Sequence, residues 1–193
     1  MQKLKLVFFL ALFVGCTSRP LPVLGDVPDF SLTDQTGTKV DRQKLLGKVW
    51  VADFIYTGCG GVCPLLTQKM SELNQVVQKS SDAASIHFVS FSVDPENDTP
   101  ERLFEYADNF HVDSRHWSFL TGPYQEIEKA VVQGFKVAMG KDANFQVLHG
   151  EKFVLVDQKG RIRGYYDANQ EGLKSLQKAI LQLTDKSCAP DGC

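Results

Sequence analysis

Val49-Trp50-Val51-Ala52-Asp53-Phe54-Ile55-Tyr56-Thr57-Gly58-Cys59-Gly60-Gly61-Val62-Cys63-Pro64 is the stretch from which the rest of the chain can be ordered. Its apolar opening, 49–55, is long and unbroken enough for a strand buried on both faces. Beyond it, Leu65, Leu66, Met70, Leu73, Val76 and Val77 recur at helical spacings, predicting a helix over roughly 63–79. A strand, a glycine-bearing turn and a helix start put Cys59 and Cys63 at the helix N-terminus. There the positive end of the dipole and the unpaired N–H groups favour thiolate. Residues at i and i+4 share a helical face, about 5–6 Å apart at Cβ, so both sulfurs can reach one ion. Three residues separate the cysteines, not the two of a C-x-x-C redox pair.

Working outward, Ile86 to Val93 reads as a second central strand, ended by Asp94-Pro95-Glu96-Asn97-Asp98-Thr99-Pro100. Thr99 can cap a helix opened by Pro100 and carrying Leu103, Phe104 and Phe110. Trp117 to Leu120 is a short strand and Tyr124 to Val132 a helix. Phe153 to Asp157, a Gln158-Lys159-Gly160 turn and Ile162 to Tyr166 form a strand pair, and a helix follows from Leu173 to Leu183. Upstream, Phe30-Ser31-Leu32 and Lys39-Val40 bracket Asp34-Gln35-Thr36-Gly37 as a hairpin. Alternating strands and helices imply an α/β fold, a central mixed sheet flanked by helices with an N-terminal hairpin. A dithiol on a βα turn, with a hairpin and a helix late in the chain, resembles the thioredoxin fold.

Net charge is −2, from 21 basic and 23 acidic residues, and neither a basic run nor an RNA-binding aromatic motif occurs. No nucleic-acid partner is therefore expected. Lys3 and Lys5 precede a ten-residue apolar run, Leu6 to Gly15, too short for a membrane span of ~20 residues but suited to a signal peptide core. Leu12-Phe13-Val14-Gly15-Cys16 resembles a bacterial lipobox, in which Cys16 becomes the acylated first residue; a plain signal peptide or an uncleaved anchor, with Cys16 incidental, is the other reading. The expected organisation is a lipoprotein signal peptide at 1–15, a tether at 16–25, one domain at 26–183 and a cysteine-containing tail at 184–193. The expected location is exported and membrane-anchored through lipid, facing the periplasm or the cell exterior. In such an oxidising compartment Cys59 and Cys63 must be metal-bound, actively reduced or disulfide-linked. In the tail, Pro190-Asp191-Gly192 is a turn signal that lets Cys188 and Cys193 approach, as a disulfide or as a supplementary copper-capturing or redox pair.

His149, in Gln146-Val147-Leu148-His149-Gly150-Glu151, precedes the strand that a thioredoxin-like sheet sets against the dithiol. Two thiolates and an imidazole suit copper first and zinc second; an ordinary loop histidine is the alternative. His111 and His116 read as solvated, His87 as an outward-facing strand residue, and Trp50 and Trp117 as core or core-edge residues. Asp53 is either a buried, hydrogen-bonded carboxyl or a sheet-edge polar group. Asp94, Pro95 and Asp98 suit turn and cap chemistry.

Taken together, the segment 49–64, Ser92-Val93-Asp94-Pro95-Glu96-Asn97-Asp98-Thr99-Pro100, and His149 before Phe153-Val154-Leu155-Val156-Asp157-Gln158-Lys159-Gly160 resemble the Sco/SenC family across residues 26 to 183. The resemblance implies a thioredoxin-fold copper protein, tied to assembly of the binuclear copper site of cytochrome c oxidase, with Cys59, Cys63 and His149 as ligands. It also implies an oxidase subunit as copper-accepting client and a thiol reductant as partner. Family members often carry an acidic residue where this chain has Gly61, and an aspartate where it has Leu148. Less negative charge beside the ion should favour Cu(I) over Cu(II).

Two other functions compete. A thiol–disulfide oxidoreductase would use Cys59 and Cys63 as its redox pair, but no proline lies between Tyr124 and Ala189 to stand opposite the dithiol. A peroxiredoxin would need proline and threonine at the positions held by Ala52 and Tyr56.

Overall fold

Strand β4, Val49–Ile55, is buried at all seven positions, so its apolar run reflects cover on both faces. Trp50, Ala52 and Phe54 pack with Val89, Phe91 and Phe135 on one face; Val49, Val51 and Ile55 pack with Leu66, Met70, Leu103, Leu176 and Ile180 on the other. The computed structural model describes residues 20–141, 147–148 and 151–185.

In chain order the elements are β1 (Gly25–Asp26), β2 (Ser31–Asp34), β3 (Lys39–Asp41), the short α1 (Arg42–Leu45), β4, α2 (Val62–Val77), β5 (Ile86–Ser92) and α3 (Pro100–Asn109). Then come β6 (Trp117–Thr121), α4 (Tyr124–Glu128), β7 (Gly140–Lys141), β8 (Val147–Leu148), β9 (Lys152–Val156), β10 (Arg161–Asp167) and α5 (Gln170–Thr184). Among the described residues eight strands form one sheet in the order β1-β10-β9-β4-β5-β6-β2-β3. β4, β5 and β6 run parallel; β9 lies antiparallel to β4 and β10 antiparallel to β9. The sheet is mixed and helix-covered, as the element pattern implies.

Local chemistry explains the boundaries. Thr99 accepts from the Arg102 N–H and Pro100 takes the first helical turn of α3, so the cap read from sequence is present. Asn169 caps α5 by accepting from the Gly172 N–H at 2.8 Å. The β2–β3 hairpin closes on Asp34, whose Oδ1 accepts from the Thr36 and Thr38 N–H groups, with Gly37 at φ +80°.

Four expectations need correction. Leu65 and Val76 are 52% and 48% exposed, and the inner face of α2 is instead Cys63, Leu66, Thr67, Met70, Leu73 and Val77. The helix read at 124–132 is α-helical only to Glu128 and continues as a π-helical turn, Lys129–Gly134. His87 is buried, its Nε2 3.0 Å from the Ser118 hydroxyl and its Nδ1 without a partner. The end of the segment read as a tether is docked: Leu24 N–H donates to Ile162 O at 2.9 Å, and Arg163 donates to the carbonyls of Pro22 and Leu21.

Candidate metal centre

β4 delivers Tyr56, Thr57, Gly58 and Cys59 to the carboxyl edge of the parallel strands, and α2 returns from the same edge. Cys59 precedes α2 and does not sit on its face: its N–H donates to Tyr56 O at 3.2 Å, closing a turn. Cys63 lies in the first turn of α2, and its N–H points to the Cys59 Sγ at 3.4 Å. The Cys59 sulfur therefore meets a helix-terminal N–H, a donor that α2 leaves without an intrahelical partner. Neither cysteine is in a disulfide.

Their surroundings differ. Cys63 is fully buried, and burial, the Cys59 sulfur beside it and the charge of Asp53 push its thiol far up. Cys59 is half-buried. Burial pushes its thiol up, but the Cys63 and Gly61 N–H groups, the Cys63 thiol and the Tyr56 hydroxyl together hold it below the ordinary value. The Tyr56 hydroxyl is pushed up to about 12, by burial first and then by its hydrogen bond to Cys59. Helix-end chemistry therefore activates one sulfur, not both as the sequence reading assumed.

Asp98, fully buried, braces the loop from the next strand. Its Oδ1 accepts from the Thr57 hydroxyl at 2.6 Å and the Thr57 N–H at 3.1 Å, and its Oδ2 from the Ser92 hydroxyl at 2.6 Å. Sequence reading assigned Asp98 to a local turn and missed both this contact, across 41 residues, and Thr57 itself. The signal that could have found it is topological: β4 and β5 are adjacent and parallel, so the loops after them meet at one edge. Asp94 does serve its turn, accepting from the Asn97 side-chain amide at 2.8 Å.

Asp53 is neither hydrogen-bonded nor at an edge. It sits mid-strand in β4, fully buried, with no hydrogen-bond partner for either oxygen. Burial pushes its carboxyl up to about 7, against smaller pulls from the Ser90 hydroxyl and its own N–H, neither in hydrogen-bonding geometry. Trp50 and Trp117 are core residues; Trp117 Nε1 donates to the Ser90 hydroxyl at 2.9 Å. His111 is exposed and His116 half-buried, and among the described residues no third histidine, cysteine or carboxylate joins the two sulfurs in a cluster fit for a metal ion. Cys16, His149, Cys188 and Cys193 lie outside the described residues.

The SCO1/SenC family model matches residues 25–184. The chain is 36% identical over 148 residues to the SCO1 protein homolog of Bacillus subtilis strain 168, covering 76% of each. It is similar to the solved structure of BsSco, a member of the Sco family of cytochrome c oxidase assembly proteins in which a disulfide switch is identified. That likeness has a TM-score of 0.76 and 31% identity, over 86% of this chain and 98% of that one. It is similar also to Bradyrhizobium japonicum ScoI with copper bound, with a TM-score of 0.68 and 30% identity, over 80% of this chain and 99% of that one. On the family match, and on a dithiol loop set where β4 meets α2 in a helix-covered mixed sheet, the chain belongs to the SCO1/SenC family.

Proposed function

We propose that the chain is a copper-binding assembly factor that takes copper as cargo and hands it to the binuclear copper site of cytochrome c oxidase. Cys59, Cys63 and His149 are the proposed ligands. The observation that carries the reading is a pair of cysteines outside any disulfide, with the Cys63 N–H directed at the Cys59 sulfur where β4 meets α2, in a family whose relatives include a copper-bound ScoI. Two sulfurs are soft donors suited to Cu(I). Cys59 is the sulfur readier to ionise, and loading at Cys63 must displace its proton, so uptake should release protons. The antiparallel β4–β9 register sets the start of β9 at the end where β4 delivers Cys59, which supports a role for His149, three residues before Lys152.

Cu(I) is favoured over Cu(II), because Gly61 and Leu148 supply no charge where family members often carry acids; a Cβ at Gly61 would meet nothing within 4 Å. A lipid anchor on Cys16 after export, the domain at 26–183 and the tail pair Cys188 and Cys193 complete the proposal. No helix among the described residues is long and apolar enough to cross a membrane.

The asymmetry of the two thiols favours a second reading, reduction of client cysteines before metallation. The Cys59 thiolate would attack a client disulfide, expelling one client thiolate. Cys63, giving up its proton, would then attack the mixed disulfide and release the second client sulfur. The chain would be left oxidised, to be reset by a thiol reductant.

Cu(I) titration of the reduced protein against a chromophoric chelator separates the two. One Cu(I) per chain is expected, with His149→Ala weakening binding by more than about tenfold. Unchanged Cu(I) binding in His149→Ala together with lost reduction of a client disulfide would favour the oxidoreductase.

A further inference from the structure

We infer that Asp98 is a positioning residue for the dithiol loop, acting through Thr57 on Cys59 and not on Cys63. The two cysteines are held by different means. Cys63 belongs to α2 and is packed among Val51, Ile55, Leu66 and Phe153, so the helix and core fix it. Cys59 lies outside that helix and meets it through the Cys63 N–H, 3.4 Å from its sulfur. It stands in a turn between β4 and α2, followed by Gly60 and Gly61, neither of which would bring a Cβ within 4 Å of another atom. A tie between this turn and the next strand is Thr57, two residues upstream. Both its hydroxyl and its N–H end on Asp98, and the Asp98 oxygen not taken by the Thr57 hydroxyl is taken by Ser92 at the end of β5.

The Ser92 hydroxyl also accepts from the Asp94 N–H at 3.2 Å, and the Asp98 N–H donates to Asp94 O at 3.0 Å. The carboxylate is thus itself held, and hydrogen bonds to an ionised acceptor are short and strong. The second sequence motif, from Ser92 to Pro100, therefore works as a bracket for the first. It sets where the Cys59 sulfur stands relative to the Cys63 and Gly61 N–H groups.

The test separates Cys59 from Cys63 in the reduced, full-length, metal-free chain. Iodoacetamide modification is followed cysteine by cysteine with mass spectrometry in wild type, Thr57→Val, Thr57→Ser and Asp98→Asn. Thr57→Val, which keeps the backbone bond and loses the hydroxyl, should slow Cys59 modification several-fold while Cys63 stays protected; Thr57→Ser should restore the wild-type rate. Asp98→Asn should do the same more strongly, and if it fails to fold the Thr57 pair still decides. An unchanged Cys59 rate in Thr57→Val, or Cys63 becoming reactive in step with Cys59, would overturn the inference, the latter because general loosening exposes both. A final arm rests on the copper reading: Thr57→Val should weaken Cu(I) by about tenfold, with rescue by Thr57→Ser. A wild-type chain that takes no Cu(I) would count against the copper reading alone, since the alkylation arm judges Asp98 without metal.

Discussion

Asp98 and Asp53 are both sealed from water, yet the chain treats the two carboxyls in opposite ways. Asp98, just past the end of β5, collects the Thr57 hydroxyl and N–H and the Ser92 hydroxyl. Asp53, in the middle of β4, has no hydrogen-bond partner for either oxygen and is held up near 7 by burial. A buried carboxylate is tolerable when hydrogen bonds replace the water it gives up, and costly when they do not. The difference teaches where order is built in: strand ends offer free N–H and hydroxyl groups, whereas mid-strand N–H groups are already used by the sheet. The brace stands where the dithiol loop needs fixing, and the uncompensated acid lies beneath, facing the layer that holds Cys63.

The largest effect that could break this contrast comes from Asp98→Leu. It strands the Thr57 and Ser92 donors and removes bonds to a charged acceptor, each worth about 1.5–3 kcal/mol, so the loss should be on the order of 5 kcal/mol. Denaturant unfolding measures it. A loss no greater than that of a surface substitution would end the claim that Asp98 is braced.

Asp53→Asn should act in the opposite sense and only at higher pH. The folded-state value of Asp53 is raised, so its contribution is fully present below the unfolded value near 3.8 and is lost as pH rises through about 7. At 1.36 kcal/mol per unit the Asp53 titration by itself should remove about 4 kcal/mol of stability across that window, a loss the variant does not share. Unfolding midpoints at pH 4 and pH 8 would show the variant gaining on wild type only at the higher value. An equal difference at both pH values would mean that Asp53 is not the titrating group.

Much of this was legible from sequence, for a physical reason. β4, the dithiol turn and the capped start of α3 depend on neighbours within a few residues, where apolar runs, glycine, threonine and proline carry their own signals. What was not legible depends on contacts that local pattern cannot express. Thr57 and Asp98 meet only because β4 and β5 lie side by side and parallel. Leu65 and Val76 match the helical period yet fall outside the strip of α2 that meets the sheet. His87, polar and in a strand, reads as outward-facing, but β6 supplies the Ser118 hydroxyl that lets it turn inward. For the candidate site, spacing singles out Cys59 and Cys63 as candidates, whereas the unequal state of the two sulfurs needs burial and the N–H directions of α2.

His87 sharpens the comparison from the basic side, being half-satisfied: one ring nitrogen meets Ser118 and the other nothing. Burial, followed by the nearby Lys48 and His116 charges, lowers it from 6.5 to about 4, with Asp34 pulling weakly the other way. Its contribution is therefore present above the unfolded value and lost as pH falls from 6.5 through 4, about 3 kcal/mol in all. Over the same descent Asp53 adds stability, so the two slopes oppose and the wild type should vary little through them. His87→Gln should expose the Asp53 slope, with stability rising as pH falls from 7 to 4. A variant that tracks wild type across that range would show the ring to be uncoupled from folding.

The smallest effect belongs to a carboxyl left in water. Asp167 and Lys152 face each other across β9 and β10 as registered partners and form an ion pair, but their side chains are 62% and 52% exposed. Solvent already satisfies both charges, and holding two flexible side chains together costs entropy, so such pairs contribute about 0.2–1 kcal/mol and less with added salt. Lys152→Ala should therefore lower the unfolding free energy by under about 1 kcal/mol, and molar salt should erase the difference. A loss approaching that of Asp98→Leu would contradict the contrast at its root, since it would mean that pairing, and not the exclusion of water, decides what a carboxyl contributes to this fold.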